Sequence, residues 1–441
     1  MELYDTVIIG GGIAGLYSAY LLLKRNPNHK FVILEREKYL GGRLLTYTDK
    51  YMTVEKGGAR FSENHHLLLN LLEEVGLSKR IVEASPDAFF SPSDGTASLY
   101  DSVFDYDSTS FSSPIKTIFN LFSEAYINSP TPIGALIARV VVQSKLESKA
   151  YLMSRNFTDY AKEILSDEEI QHIHDAFGYY TELVEMNAYD CIALLDSGLN
   201  PRQKFFVLAG GLTQLIKQLV LLLEKRILTN MEVLSIKHDK NHFTIKTKTK
   251  VFRALNTICA IPKQGAEKLA IFKPIRKEFD YIKCFPLCRI YCKFDMKNRE
   301  NAWIHNLPKL TTNNNLRIII PIDAKSGVIM ASYTDHHFAD FWLNLYNKEG
   351  VKGVNQELVK LYKETLGINI PMPISTKIFH WGCGVGYWGI GADSEALEKL
   401  FLQPFSDMSL FICGEHYSAD QQQWMEGALA TAEKVVARIN V

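Results

Sequence analysis

Gly10, Gly12 and Gly15 fall as G-x-G-x-x-G, and Glu35 follows about 20 residues past the last glycine. That spacing binds a dinucleotide. Gly10 permits a tight turn, Gly12 lets the backbone approach a pyrophosphate, and Gly15 lets a helix pack closely on a strand. The helix N-terminus then faces the phosphate charge. A carboxylate at position 35 accepts from ribose hydroxyls and repels a 2′-phosphate, which argues against NADP. Arg36 follows it directly. In Tyr39-Leu40-Gly41-Gly42-Arg43 two more glycines allow a close backbone approach, with an arginine suited to a phosphate.

These residues need a strand, a turn, a helix and a second strand to position them. Thr6 to Ile9 is short, apolar and β-branched, as a parallel strand buried on both faces should be. Ile13, Leu16, Tyr17, Tyr20 and Leu23 recur at helical spacing, with Ala14, Gly15 and Ala19 keeping one side small. Phe31-Val32-Ile33-Leu34 is the second strand, ending at Glu35.

The remaining composition narrows the function classes. A chain of 441 residues is long enough for more than one domain. Lys+Arg and Asp+Glu both number 49, so no global basic field points to nucleic acid or an anionic membrane, and the partner expected is a small molecule. Seven cysteines and a dinucleotide strand starting near residue 6 predict reduced thiols and a soluble, cytoplasmic protein without signal peptide or membrane anchor. Cys284, Cys288 and Cys292 are four apart but lack a second Cys/His cluster, so they read as buried thiols. The pairs His65/His66 and His172/His174 suit no metal, and no metal is expected.

The opening fingerprint, Glu35, Gly41-Gly42-Arg43, Ile412-Cys413-Gly414-Glu415 and Trp424-Met425-Glu426-Gly427-Ala428 together resemble the flavin-containing amine oxidases, which include monoamine, polyamine and L-amino acid oxidases. The resemblance implies an α/β fold: a Rossmann-like FAD-binding domain with an interleaved α+β substrate domain. The chain then divides into a discontinuous FAD-binding domain (1–80, 205–280, 405–441) and a substrate-binding domain with a helical insertion (81–204, 281–404). It implies non-covalent FAD, since Cys383 lies several residues before the attachment point used by some monoamine oxidases. Gly10, Gly12, Gly15, Glu35, Arg36, Gly42, Arg43, Gly58, Ala59, Arg60, Val233, Gly414, Glu415 and Met425 are the cofactor-binding residues it implies. Val233 would offer its backbone to the adenine, Glu415 would accept from a ribityl or ribose hydroxyl, and the helix starting near Met425 would turn its positive end to the flavin pyrimidine carbonyl.

For the reaction, Thr53-Val54-Glu55-Lys56-Gly57-Gly58-Ala59-Arg60 resembles the stretch lying beside the flavin ring, where an arginine holds the substrate carboxylate in members that act on amino acids. Trp424 occupies one of the two aromatic positions flanking the amine. The second comes from Gly386-Tyr387-Trp388-Gly389, with Trp388 preferred over Tyr387. Arg289, in Arg289-Ile290-Tyr291-Cys292-Lys293-Phe294, stands where most members carry a lysine near flavin N5, and an arginine cannot serve as a base there. The activity implied is FAD-dependent oxidation of an amine or L-amino acid to an imine, with dioxygen reduced to hydrogen peroxide. Two alternatives stay open: an FAD-binding protein with weak or no turnover, for which Arg289 speaks, and a related flavin-dependent desaturase. A homodimer is compatible with the sequence.

Between the motifs, His65 to Leu77 reads as a helix stopped by Gly76, Ser91 to Ser113 as a surface loop, and Ile115 to Leu195 as mostly helical with a capping box at Ser166 to Glu169. Residues 280 to 400 alternate strand-like and helical runs.

Overall fold

The computed structural model describes residues 2–84, 89–90, 101–102, 133–198, 204–239, 241–367 and 369–440. The Ser91 to Ser113 loop, apart from 101–102, and the start of the Ile115 to Leu195 block lie outside these residues.

The apolar run at the start of the chain becomes strand β1 (Leu3–Ile9), whose last four residues are fully buried because both faces are covered. Helix α1 (Ile13–Arg25) follows, then β2 (Phe31–Leu34), paired parallel to β1 with Thr6 opposite Phe31. On its other side β1 pairs parallel with Val251–Cys259, which in turn pairs parallel with Leu410–Ile412. Ile227–Leu228 extends the sheet beyond β2, and Val233–Asp239 and His242–Thr247 add antiparallel strands at the opposite edge. The early and late parts of the chain therefore meet in one sheet. α1 and the closing helix Met425–Val436 pack on it through Leu16, Ala19, Leu22, Leu429, Ala432 and Val435, all fully buried. Burial of such side chains gives about 1.5–3 kcal/mol each, which makes this layer a rigid support for the turns above it.

A second sheet runs Ser375–Trp388, Ile282–Lys293, Val328–Asp335, Ile318–Asp323, mostly antiparallel. His336–Leu366 covers one face, interrupted at Gly350, whose φ of 65° breaks the helical path. The long pairing between Ile282–Lys293 and Ser375–Trp388 carries residues that lack strand-like alternation, among them Gly382, Gly384 and Gly386.

The helical block packs beside this sheet as short helices, Ile133–Ser144, Phe157–Ala161, Asp167–Ala176 and Thr181–Glu185 among them. Ser166 and Glu169 form the capping box. The helix His66–Glu74 ends before Gly76, at φ 73°.

The cysteine expectation needs correcting. Cys191, Cys259, Cys288, Cys292 and Cys413 are free and buried, but Cys284 and Cys383 are joined as a disulfide across the two long strands, with Cα atoms 5.2 Å apart. They lie 99 positions apart in sequence, so the spacing of Cys284, Cys288 and Cys292 concealed the partner.

Candidate active site

The fingerprint glycines behave as their spacing requires. Gly10 sits at φ 109°, and a Cβ there would strike the Ala260 carbonyl. Gly12, the N-cap of α1, offers no side-chain cap, and a Cβ on it would project into open space. Uncapped N–H groups beside an open volume fit the pyrophosphate of a dinucleotide. Glu35 stands at the rim, its Oε2 accepting from Gly11 N at 2.6 Å and its Oε1 from Glu37 N at 2.8 Å, with further lone pairs for a ribose. Arg36 is exposed and pairs with Glu37 at 3.1 Å. The segment approaching Val233 runs alongside: Glu35 N donates to Leu228 O at 2.9 Å and Met231 N to Glu35 O at 2.7 Å.

Gly42 abuts Gly12, and Arg43, next in the chain, lines a pocket together with Gly58, Ala59, Arg60, Arg289, Tyr387, Trp424 and Met425, with Lys56, Tyr179, Glu182, Tyr333, Trp381 and Gln423 also in its wall. Residues far apart in sequence converge because the Lys56–Arg60 turn, the two long strands and the closing helix all end here. Arg43 Nη1 binds three partners: Glu415 Oε2 at 2.8 Å, Gly384 O at 2.9 Å and His416 Nε2 at 3.1 Å. Glu415 Oε1 accepts from Gly386 N at 2.8 Å and Gln423 N at 2.9 Å. Burial works against the Glu415 charge, but Arg43 and these amides outweigh it and hold its pKa below the usual value. Glu415 thus ties strand Ser375–Trp388 to the turn carrying Trp424. Burial pushes His416 down to about 4. Gly414, at φ 136°, donates its N–H to Thr431 Oγ1 at 2.9 Å.

Met425 opens the closing helix, which has no side-chain cap, beside Gly58. Glu426 reaches back instead, accepting from Leu67 N and Leu68 N at 2.8 and 3.0 Å and so capping another helix. Trp424 stacks on Phe205 with centroids 6.0 Å apart and meets His65 edge-on at 4.9 Å; its buried indole N–H has no protein partner. Arg60 Nη2 donates to Tyr179 Oη at 2.9 Å, and its guanidinium lies 5.5 Å from the Phe205 ring centroid. Arg289 Nη1 donates to the carbonyls of Glu55 and Gly57, and its guanidinium lies 4.6 Å from the Tyr333 centroid. Burial opposes the Arg289 charge, yet Tyr291 and Tyr333 raise its pKa above the ordinary value, so it stays a fixed cation.

The aromatic assignment changes. Tyr387 lines the pocket, whereas Trp388 is fully buried in the core behind it, donating from Nε1 to Ser418 O at 2.9 Å. Adjacent strand residues point to opposite faces, so only one of the pair reaches the site. Sequence reading also passed over Trp381, whose Nε1 donates to Lys56 O at 2.7 Å, and Tyr179, Glu182 and Tyr333. Tyr333 was findable as the residue that faces Arg289 in the strand register. Glu182 carried a weaker signal, a lone carboxylate among apolar residues of a short helix.

A β1–α1–β2 cradle with an acidic strand end, in a chain that also forms an aromatic pocket, defines a dinucleotide-binding protein. The comparisons agree. The family model of flavin containing amine oxidoreductases matches residues 13–440, and the chain belongs to that family, whose cofactor is FAD. It is 22% identical to an L-amino-acid oxidase of Demansia vestigiata, covering 98% of this chain and 86% of that one. With an L-amino-acid oxidase of Bothrops pauloensis it shares 23% identity over 57% of its length, but this spans only about half (49%) of that relative. Cyclohexylamine oxidase from Brevibacterium oxydans has a similar fold, with TM-score 0.74 at 16% identity over 99% of this chain and 98% of that one. No helix among the described residues is long and apolar enough to cross a membrane.

Proposed function

We propose that this chain is an FAD-dependent oxidase that converts an amine or L-amino acid to an imine. The observation carrying it is the pocket that Arg60, Tyr387 and Trp424 line together with Gly57, Gly58 and Ala59. FAD, when bound, supplies the two-electron acceptor: a hydride equivalent leaves the substrate carbon, the nitrogen gives up a proton, and dioxygen finally takes two electrons and two protons as hydrogen peroxide. The chain's own groups orient and exclude. Arg60 holds a carboxylate, Tyr387 and Trp424 confine the amine, and Arg289 fixes a positive charge and the backbone of Glu55 and Gly57 beside it. The sulfur of Cys383 is taken by Cys284, which supports non-covalent FAD.

Peroxide release from the purified yellow protein across a panel of amines and L-amino acids tests the reading. Substrate-dependent peroxide with matching oxygen uptake supports it; flavin that no member of the panel reduces would overturn it. The second reading, FAD binding with weak turnover, is favoured by Arg289, whose guanidinium is already committed to backbone carbonyls. Flavin reduced by substrate but reoxidised only slowly in air would select it.

A further inference from the structure

Glu182 has no task in the chemistry above, and its surroundings are unusual for a carboxyl. It lines the same pocket as Arg60 yet is only 5% exposed. One oxygen accepts from its own backbone N–H; the other, Oε2, is buried and has no partner. The two nearby cations are engaged elsewhere, Arg60 with Tyr179 and Arg289 with the Glu55 and Gly57 carbonyls. The groups that face it are Asp335, Tyr179, Tyr387 and Cys191, none of them a cation. Asp335 is itself satisfied, accepting from Thr181 N at 2.6 Å and Tyr180 N at 2.9 Å. Burial, and then the neighbouring Asp335, push the Glu182 carboxyl above the usual carboxylate range. A buried carboxyl with an unpartnered oxygen costs stability unless a further group completes it.

We propose that Glu182 receives a second cationic group of the substrate, so that the pocket takes a basic L-amino acid, with its carboxylate at Arg60 and its distal ammonium or guanidinium at Glu182. This rests on the pocket being the substrate site. The Glu182 carboxylate pairs with the distal ammonium inside the pocket. An apolar side chain of the same length leaves the oxygen unpartnered.

L-norleucine differs from L-lysine by a distal hydrogen in place of the ammonium group, so kcat/KM for the two on the holoenzyme isolates the effect. L-lysine should exceed L-norleucine by at least about tenfold, and Glu182→Gln should bring the ratio of the two to about one. Equal values in the wild type, or an equal loss for both substrates in the variant, would overturn the proposal. Binding gives a readout independent of turnover. Calorimetric titration of the holoprotein with 6-aminohexanoate should show tighter binding than hexanoate, a difference that Glu182→Gln removes. Hexanoate binding as tightly refutes the cation site. Selective 6-aminohexanoate binding without oxidation of any substrate would instead sink the oxidase reading and leave the cation site standing.

Discussion

Arg60→Ala should separate substrates by their carboxylate. In the structure the guanidinium donates to the Tyr179 hydroxyl at 2.9 Å and lies over the Phe205 ring, which holds it in place on the pocket wall. A charge-assisted hydrogen bond contributes about 1.5–3 kcal/mol, and loss of a bidentate pair about 2–4 kcal/mol. Arg60 is only half-buried, which screens the pair and places the expected loss toward 2–3 kcal/mol, about 30- to 150-fold in kcat/KM. The assay compares an L-amino acid with the amine left by its decarboxylation, on wild type and variant. The amino acid should lose that factor and the amine should change less than about threefold. Tyr179→Phe should give a smaller loss in the same direction, because it frees the guanidinium without removing it. Equal losses on both substrates would show that Arg60 shapes the pocket rather than binding a carboxylate.

Gly12→Val should yield a colourless protein, since its side chain would fill the open space before α1; an unchanged flavin absorbance would place the pyrophosphate elsewhere. Arg289→Lys keeps the charge but loses the planar fork that reaches Glu55 and Gly57, and it should quicken air reoxidation more than substrate reduction, read by stopped-flow absorbance; equal changes in both half-reactions would leave Arg289 a fastening of the turn alone. His65 and His416 are both lowered from 6.5 to about 4, chiefly by burial, so below pH 6.5 the unfolded chain gains protons that the folded one refuses. Stability from each is full above pH 6.5 and is lost as pH falls toward 4, by about 3 kcal/mol apiece at the limit. Denaturant midpoints between pH 7 and pH 4 should fall less steeply in His65→Asn, and an unchanged slope would refute the assignment.

The dinucleotide cradle was legible because each of its parts is local: three glycines, two buried strands and a strand-end carboxylate obey short-range rules, and they fold as those rules require. The pocket was legible only through resemblance, and only in part. Arg60, Trp424 and Arg289 arrived in it, whereas Trp388 did not, because the parity of a strand cannot be read where Gly384, Gly386 and Gly389 interrupt the alternation. Tyr179, Glu182 and Trp381 are positioned by tertiary contacts between elements far apart in sequence, on which periodicity is silent. The Cys284–Cys383 pair was hidden for the same reason.

Tyr17 and Glu433 donate and accept one hydrogen bond, 2.8 Å long, across 416 positions of sequence. The sheet under the cofactor likewise holds both Leu3–Ile9 and Leu410–Ile412. On the ribosome the glycine turn therefore emerges long before the strand, the Trp424 wall and the helix that complete its surroundings. Assembly must wait for these distant pairings, which are slow to close and leave apolar strand edges uncovered meanwhile. Flavin capture then becomes a late event in biogenesis, and the yellow colour of a preparation reports that the two ends of the polypeptide have found each other.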